Sequence, residues 1–204
     1  MFITFEGIDG SGKTTQGQLL KEKLESLGYQ VLLTREPGGT KVAEAIRGIL
    51  LHLDEKIEAM TEVFLYCGAR NEHLEKIILP ALKKGYIVIS DRYYHSTLAY
   101  QGFGRELGLA EMKAINSHFI NTCPPDLTFF LDIGLEIFEK RLEGQELDRM
   151  EKEGLEFMTK VRQGYLEMAA EEKTRIQVIE GSAKIEDIAE KIYLKVKEVL
   201  DARS

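Results

Sequence analysis

A three-layer α/β/α domain built on a five-stranded parallel sheet is the fold that the sequence predicts. Five short apolar runs, Phe2–Phe5, Val31–Thr34, Tyr86–Ser90, Leu127–Asp132 and Ile176–Ile179, have strand character. Their Ile, Val, Leu and Phe are nearly continuous, which is the pattern of strands buried on both faces of a parallel sheet. The segments between them carry helical spacing, and strands alternating with helices argue for a doubly wound α/β arrangement.

Taken in order, the first run leads into a glycine-rich turn and then a helix whose Leu19, Leu20, Leu24 and Leu27 share one stripe and stop at Gly28. Near the end, Ile185, Ile188, Ile192 and Val196 form a second stripe with charges between them. No repeat or Gly/Ser/Pro-rich linker interrupts the 204 residues, so 1–204 reads as a single domain with a sizeable core. Hydrophobic residues make up 44% and charged residues 30%, the balance of a soluble globular protein. No stretch approaches the roughly 18 uninterrupted apolar residues of a membrane span. Met1–Glu6 lacks the basic region and long apolar run of a signal peptide, so the cytoplasm is the expected compartment. A net charge of −7 disfavours a protein that coats nucleic acid through its phosphates. Cys67 and Cys123, without a CxxC pair or a histidine cluster, read as packing residues rather than a disulfide or zinc framework.

Gly7-Ile8-Asp9-Gly10-Ser11-Gly12-Lys13-Thr14 matches GxxxxGK[ST] at every specified position, directly after a strand and at the opening of a helix. The chemistry explains the residue types. Gly7, Gly10 and Gly12 let the backbone turn tightly and bring N–H groups against phosphates, and the helix N-terminus adds partial positive charge. Lys13 reaches the β- and γ-phosphates, and the Thr14 hydroxyl is placed to ligate Mg²⁺. This P-loop, Gly7 to Thr15, predicts binding of ATP or GTP. A GTPase would need an NKxD-type base-reading motif after a later strand, and none is present; a motor would be longer or carry added modules. A small kinase is favoured.

The strand run ending in Ser90-Asp91-Arg92-Tyr93 puts a carboxylate beside the P-loop, where Asp91 can hold Mg²⁺ directly or through water. Arg92 follows at the same strand end, placed to bind a phosphate through its planar fork. Asp132 also ends a strand and competes for the metal, but its simpler reading is a helix N-cap.

The P-loop, Thr34-Arg35-Glu36-Pro37-Gly38-Gly39-Thr40, Asp91-Arg92-Tyr93, Ser96-Thr97-Leu98-Ala99-Tyr100-Gln101-Gly102 and Leu147-Asp148-Arg149-Met150-Glu151 occur together and in this order. The set resembles the bacterial thymidylate kinases from the first strand to about Leu166. The resemblance implies transfer of the ATP γ-phosphoryl to dTMP, giving dTDP, with Mg²⁺. It implies that Asp9 contacts the deoxyribose 3′-hydroxyl near the transferred phosphate, that Tyr66 stacks on the pyrimidine, and that Arg70 donates to a thymine carbonyl. Thr97 would meet the base N3, Tyr100 would crowd the sugar 2′ position with Gln101 completing that wall, and Arg35 and Arg92 would flank the acceptor phosphate. Residues 141–152 correspond to a short mobile lid, and Arg149 is the first choice for its catalytic cation, with Arg141 second. The lid departs from the arginine-dense form of some relatives. A homodimer is also implied. Two rivals remain: a kinase for another pyrimidine monophosphate, and a slow P-loop ATPase switch, which would have no need of a second nucleotide pocket.

Overall fold

The computed structural model describes residues 1–203. Its sheet consists of β1 (Phe2–Glu6), β2 (Val31–Arg35), β3 (Ile87–Asp91), β4 (Leu127–Asp132) and β5 (Ile176–Glu180) in the order β2-β3-β1-β4-β5. Every pairing is parallel. Around the sheet run α1 (Lys13–Ser26), α2 (Lys41–His52), α3 (Ala59–His73), α4 (Leu79–Lys83), α5 (Tyr94–Thr97), α6 (Leu109–Ile115), α7 (Ser117–Thr122), α8 (Leu135–Leu142), α9 (Leu155–Glu171) and α10 (Ile185–Asp201). Two π-helical segments interrupt this pattern: Leu74–Ile78 joins α3 to α4, and Leu98–Gly104 prolongs α5.

The alternation of side chains along each strand divides the core into two layers. Ile3, Phe5, Ile87, Ile89, Phe129 and Leu131 pack with Leu20 and Leu24 of α1 and Ile188, Ile192 and Val196 of α10. On the other face Phe2, Val88 and Phe130 pack with Val63 of α3 and Met158, Val161 and Tyr165 of α9. Both predicted helical stripes are real but shorter than expected. Leu27 caps α1 and is 51% exposed, and Ile185 opens α10 at 52% exposed, because a helix end overhangs the sheet that its middle covers.

The sheet also fixes where ligands can bind. Because β2 and β3 lie on one side of β1 and β4 and β5 on the other, the strand order reverses there, and the crevice at the carboxyl ends of β1 and β3 is the binding position of such folds. α9 backs the crevice indirectly, packing tightly on the π-segment Leu98–Gly104 whose Tyr100 and Gln101 line it. A Cβ on Gly164 would lie 2.5 Å from the Phe103 ring, so glycine permits this contact. Among the described residues, no helix is long and apolar enough to cross a membrane.

Candidate active site

The loop between β1 and α1 has the geometry of a phosphate cradle. Gly7, Gly10 and Gly12 have φ of 139°, 70° and 97°, and a Cβ on Gly7 would meet the Leu131 carbonyl oxygen at 2.7 Å. Lys13 is buried, and its Nζ donates to the Ile8 carbonyl at 2.9 Å, folded over the loop it serves. Burial and the neighbouring Arg92 both hold its pKa below the usual lysine value. Ile8 and Ser11 are buried beneath the loop, whereas Thr14 and Thr15 open onto the cavity above it. The Thr14 hydroxyl donates to Asp91 Oδ2 at 2.6 Å, bringing the two expected metal ligands together. Both are hard oxygen donors facing the phosphate cavity, which suits a divalent cation that keeps several waters and takes its other ligands from the nucleotide. Accordingly, no group of three or more His, Cys, Asp or Glu able to cage a metal occurs among the described residues.

Arg92, at φ 73°, sits at the end of β3 with its backbone N–H bonded to the Phe5 carbonyl. Its guanidinium is forked: Nη1 donates to the Gly7 carbonyl at 2.9 Å and to Ser96, and Nη2 donates to Asp9 at 2.6 Å and to the Tyr100 hydroxyl at 3.1 Å. Tyr100 in turn donates to the other Asp9 oxygen at 3.1 Å. Burial alone would raise the Asp9 carboxyl; the charges of Arg92 and Lys13 outweigh it and bring the pKa down to about 2. Beneath Arg92, the buried Glu6 accepts from the Tyr93 N–H, Ser96 and Tyr165, fixing the start of α5. Desolvation raises its pKa despite these bonds.

Two cavities meet at these residues. Lys13, Thr14, Asp91, Arg35 and Arg141 line one, on the P-loop side. Tyr66, Thr97, Tyr100, Gln101, Ser96 and Met150 line the other. Asp9, Glu36, Arg47 and Arg92 line both. The expected second pocket therefore exists and opens directly onto the phosphate cavity.

Arg70 is held deeper than its spacing from Tyr66 implies. It is buried, with Nε on Glu36 at 2.8 Å, Nη1 on Thr97 at 3.0 Å and Asn116 at 2.9 Å, and Nη2 on the Tyr93 carbonyl at 3.2 Å. These bonds use four of its five N–H groups, leaving one Nη2 hydrogen, and the side chain lies behind the pocket wall, lining neither cavity. Thr97 accepts from Arg70 with one lone pair and keeps another for an N–H such as that of thymine N3. Tyr66 lines the pocket as a neutral phenol, its pKa raised by burial and by Glu62. Arg35 belongs to the phosphate side of the cleft, where both oxygens of Glu44 pair with it at 3.1 and 2.9 Å.

The two lid arginines are placed differently. Arg149 does not face the P-loop. Its Nε donates to the Leu50 carbonyl at 2.7 Å and its Nη2 pairs with the buried Glu62. Asp148 accepts from the N–H groups of Met150 and Glu151, a turn that swings the next side chain toward the body of the protein, where Glu62 holds it. Arg141, from the end of α8, lies on the P-loop, donating to the Gly10 carbonyl at 2.7 Å and the Gly181 carbonyl at 3.1 Å. Asp132 is neither a metal ligand nor an N-cap. It pairs bidentately with Arg162 at 2.6 and 2.8 Å, and Gly134 occupies the cap position of α8.

A family model described as thymidylate kinase matches residues 5–192. The chain belongs to the thymidylate kinase family. It is 47% identical to the thymidylate kinase of Pelobacter propionicus, over 96% of this chain and 93% of that one. It is also 47% identical to the thymidylate kinase of Mycoplasma capricolum, with 97% of each chain covered. A crystal structure of thymidylate kinase from Ehrlichia chaffeensis superposes with a TM-score of 0.76 at 36% identity, covering 98% of both chains. The chain is thus a phosphotransferase acting on dTMP to give dTDP. Within this thymidylate kinase site, the sequence reading missed Arg47, Glu36 and Asn116. Arg47 projects from α2 into both cavities, with Nη1 on the Pro37 carbonyl at 3.1 Å. Glu36, beside a cis peptide to Pro37, accepts from Arg70 and shares a 3.0 Å bond with His73.

Proposed function

We propose that the reaction runs by in-line attack of a dTMP phosphate oxygen on the ATP γ-phosphorus, with Lys13, Arg92 and Arg141 stabilising the charge that develops. The observation that supports this is the sharing of Asp9, Glu36, Arg47 and Arg92 by two adjoining cavities, one rimmed by the P-loop and one by aromatic and amide side chains. An anionic acceptor needs no strong general base, so positioning and electrostatics carry the rate. Arg92, Arg35 and Arg47 receive the acceptor phosphate, and Asp9 and Tyr100 the deoxyribose. Tyr66, Arg70, Thr97 and Gln101 receive the base, Arg70 donating to a carbonyl and Thr97 accepting from N3–H. Cytosine carries an amino group and an unprotonated N3 at those two places and is disfavoured. Rates of ADP release with dTMP, dUMP, 5-methyluridine monophosphate and CMP test this. A preference for CMP would remove it.

Thr14 and Asp91 would hold Mg²⁺, which when bound neutralises the polyphosphate charge. Thr14→Ala is expected to raise the Mg²⁺ concentration for half-maximal rate on the order of tenfold, with the KM for dTMP little changed. An unchanged Mg²⁺ titration would remove Thr14 from the metal site. The setting we propose is the cytoplasm, and the assembly a homodimer. In support of the dimer, α2 exposes Val42 and Ile49 at helical spacing, Leu53 just beyond its end is also exposed, and α3 adds Phe64, 61% exposed. Sedimentation as a monomer at micromolar concentration would sink it.

A further inference from the structure

The buried carboxylate of Glu62 plays no part in the mechanism above. It lies on the first turn of α3, one turn before Tyr66, with no solvent exposure. Taking a carboxylate out of water costs several kcal/mol unless cations and hydrogen bonds offset it, and here they come from two different segments. Gln101 Nε2 donates to Oε1 at 2.7 Å, and Arg105 donates to both oxygens at 3.3 Å; both residues belong to the stretch that follows Tyr100. The lid segment supplies Arg149, which donates to Oε2 while its Nε and backbone N–H hold the Leu50 and Leu51 carbonyls. Arg105 adds a second tie to the same segment through Glu153. The cluster is electrically balanced, two carboxylates against two guanidinium groups.

Its partners also touch the acceptor pocket. Gln101 and Met150 line that pocket, as does Asp148, and the Met150 sulfur lies 3.4 Å from Arg149 Nη2. By contrast, Glu143, Gly144, Gln145 and Glu146 are exposed, and Gln145 there bonds only to the Leu142 and Arg141 carbonyls of its own turn. Glu62 is thus the charged point where the pocket wall and the lid are joined, beside the backbone bond from Arg149 to Leu51 of the same wall.

We propose that Glu62 is a positioning residue that couples filling of the acceptor pocket to fastening of the lid. A nucleotide that engages Gln101 and Tyr66 orders the groups flanking Glu62. Its free lone pairs then present a fixed landing site for Arg149. Docking of Arg149 lays Asp148 and Met150 over the nucleotide and limits the freedom of the chain that carries Arg141 at the phosphates. Two states are implied, lid docked and lid released, and dTMP favours the first because only that state closes the pocket. The inference rests on dTMP being the acceptor, and turnover of dTMP by the unaltered enzyme tests that separately.

Amide hydrogen exchange across residues 144–153 of the whole chain, with and without saturating dTMP, reads the coupling directly. The unaltered protein should show slower exchange there on adding dTMP. In Glu62→Gln, which keeps shape and removes charge, that slowing should shrink by about tenfold, the scale of one charge-assisted hydrogen bond. kcat should fall by a similar factor, with the KM for ATP within about twofold. Arg149→Leu, a change on the lid side of the contact, should reproduce both effects even if Glu62→Gln does not fold, and the double variant should be no worse than either single. Full dTMP-dependent protection in Glu62→Gln or in Arg149→Leu would overturn the proposal. So would losses that add in the double variant, since a merely structural Glu62 would act independently of Arg149.

Discussion

Arg92→Ala is expected to lower kcat/KM for dTMP at least about a hundredfold, a loss of roughly 3 kcal/mol of transition-state stabilisation. Two effects combine. The acceptor phosphate loses a cation delivered in fork geometry, and Asp9 loses the stronger of its two hydrogen bonds together with the charge that keeps it ionised in a partly buried position. Arginine and alanine are equally disfavoured at φ 73°, so backbone strain does not distort the comparison. Arg92→Lys should recover only part of the loss, because a point charge cannot reach Gly7, Asp9 and a phosphate together. A fall of less than about fivefold in Arg92→Ala would remove Arg92 from the transition state.

The same pair has a pH signature. With the folded pKa of Asp9 at about 2 against an ordinary 3.8, its contribution to stability is fully present above about pH 4 and is lost as pH falls toward 2. In Arg92→Ala burial is opposed only by the Lys13 charge and the Tyr100 hydrogen bond, the folded pKa rises, and that acid-dependent loss shrinks. Thermal unfolding midpoints at pH 6 and pH 3 would compare the two proteins.

What could be read from the sequence follows from how local each signal is. The five strands are runs of apolar residues needing no partner to be recognised, and each appears within one residue of its expected bounds. The P-loop and the Asp91-Arg92 pair are equally local, since one strand end fixes both. Residues whose role depends on distant chain were illegible. Arg47 is one cation on an amphipathic helix and looks like an ordinary solvated face. Asn116 lies between two short helices, and only the fold brings it 2.9 Å from Arg70. Glu62 in a first helical turn resembles a residue placed for the helix dipole. The placement of Arg141, and not Arg149, against the P-loop has the same origin. The Asp148-Arg149 pair is visible in sequence, but the direction of its arginine depends on the Asp148 turn and on Glu62 from a remote helix.

Arg70→Met is expected to cost both stability and substrate recognition, and the two losses can be separated. The Arg70–Glu36 pair is 2.8 Å apart with side chains 2% and 3% exposed, so removing the arginine leaves a buried carboxylate without its cation. Breaking such a pair costs about 3–5 kcal/mol, and denaturant unfolding should register it. Adding Glu36→Gln takes away the stranded charge. The glutamine can still share a hydrogen bond with His73, and the double variant should regain part of the stability. Recognition should not follow. Without the guanidinium no donor meets the thymine carbonyl, and Thr97 loses the bond that orients its hydroxyl, so the KM for dTMP should stay raised about tenfold or more in both variants. The KM for ATP, bound across the P-loop, should move little. Equal rises in both KM values would mean that Arg70 only supports the fold. Recovery of dTMP binding in the double variant would mean that the single change had acted through the stranded Glu36 and not through the base.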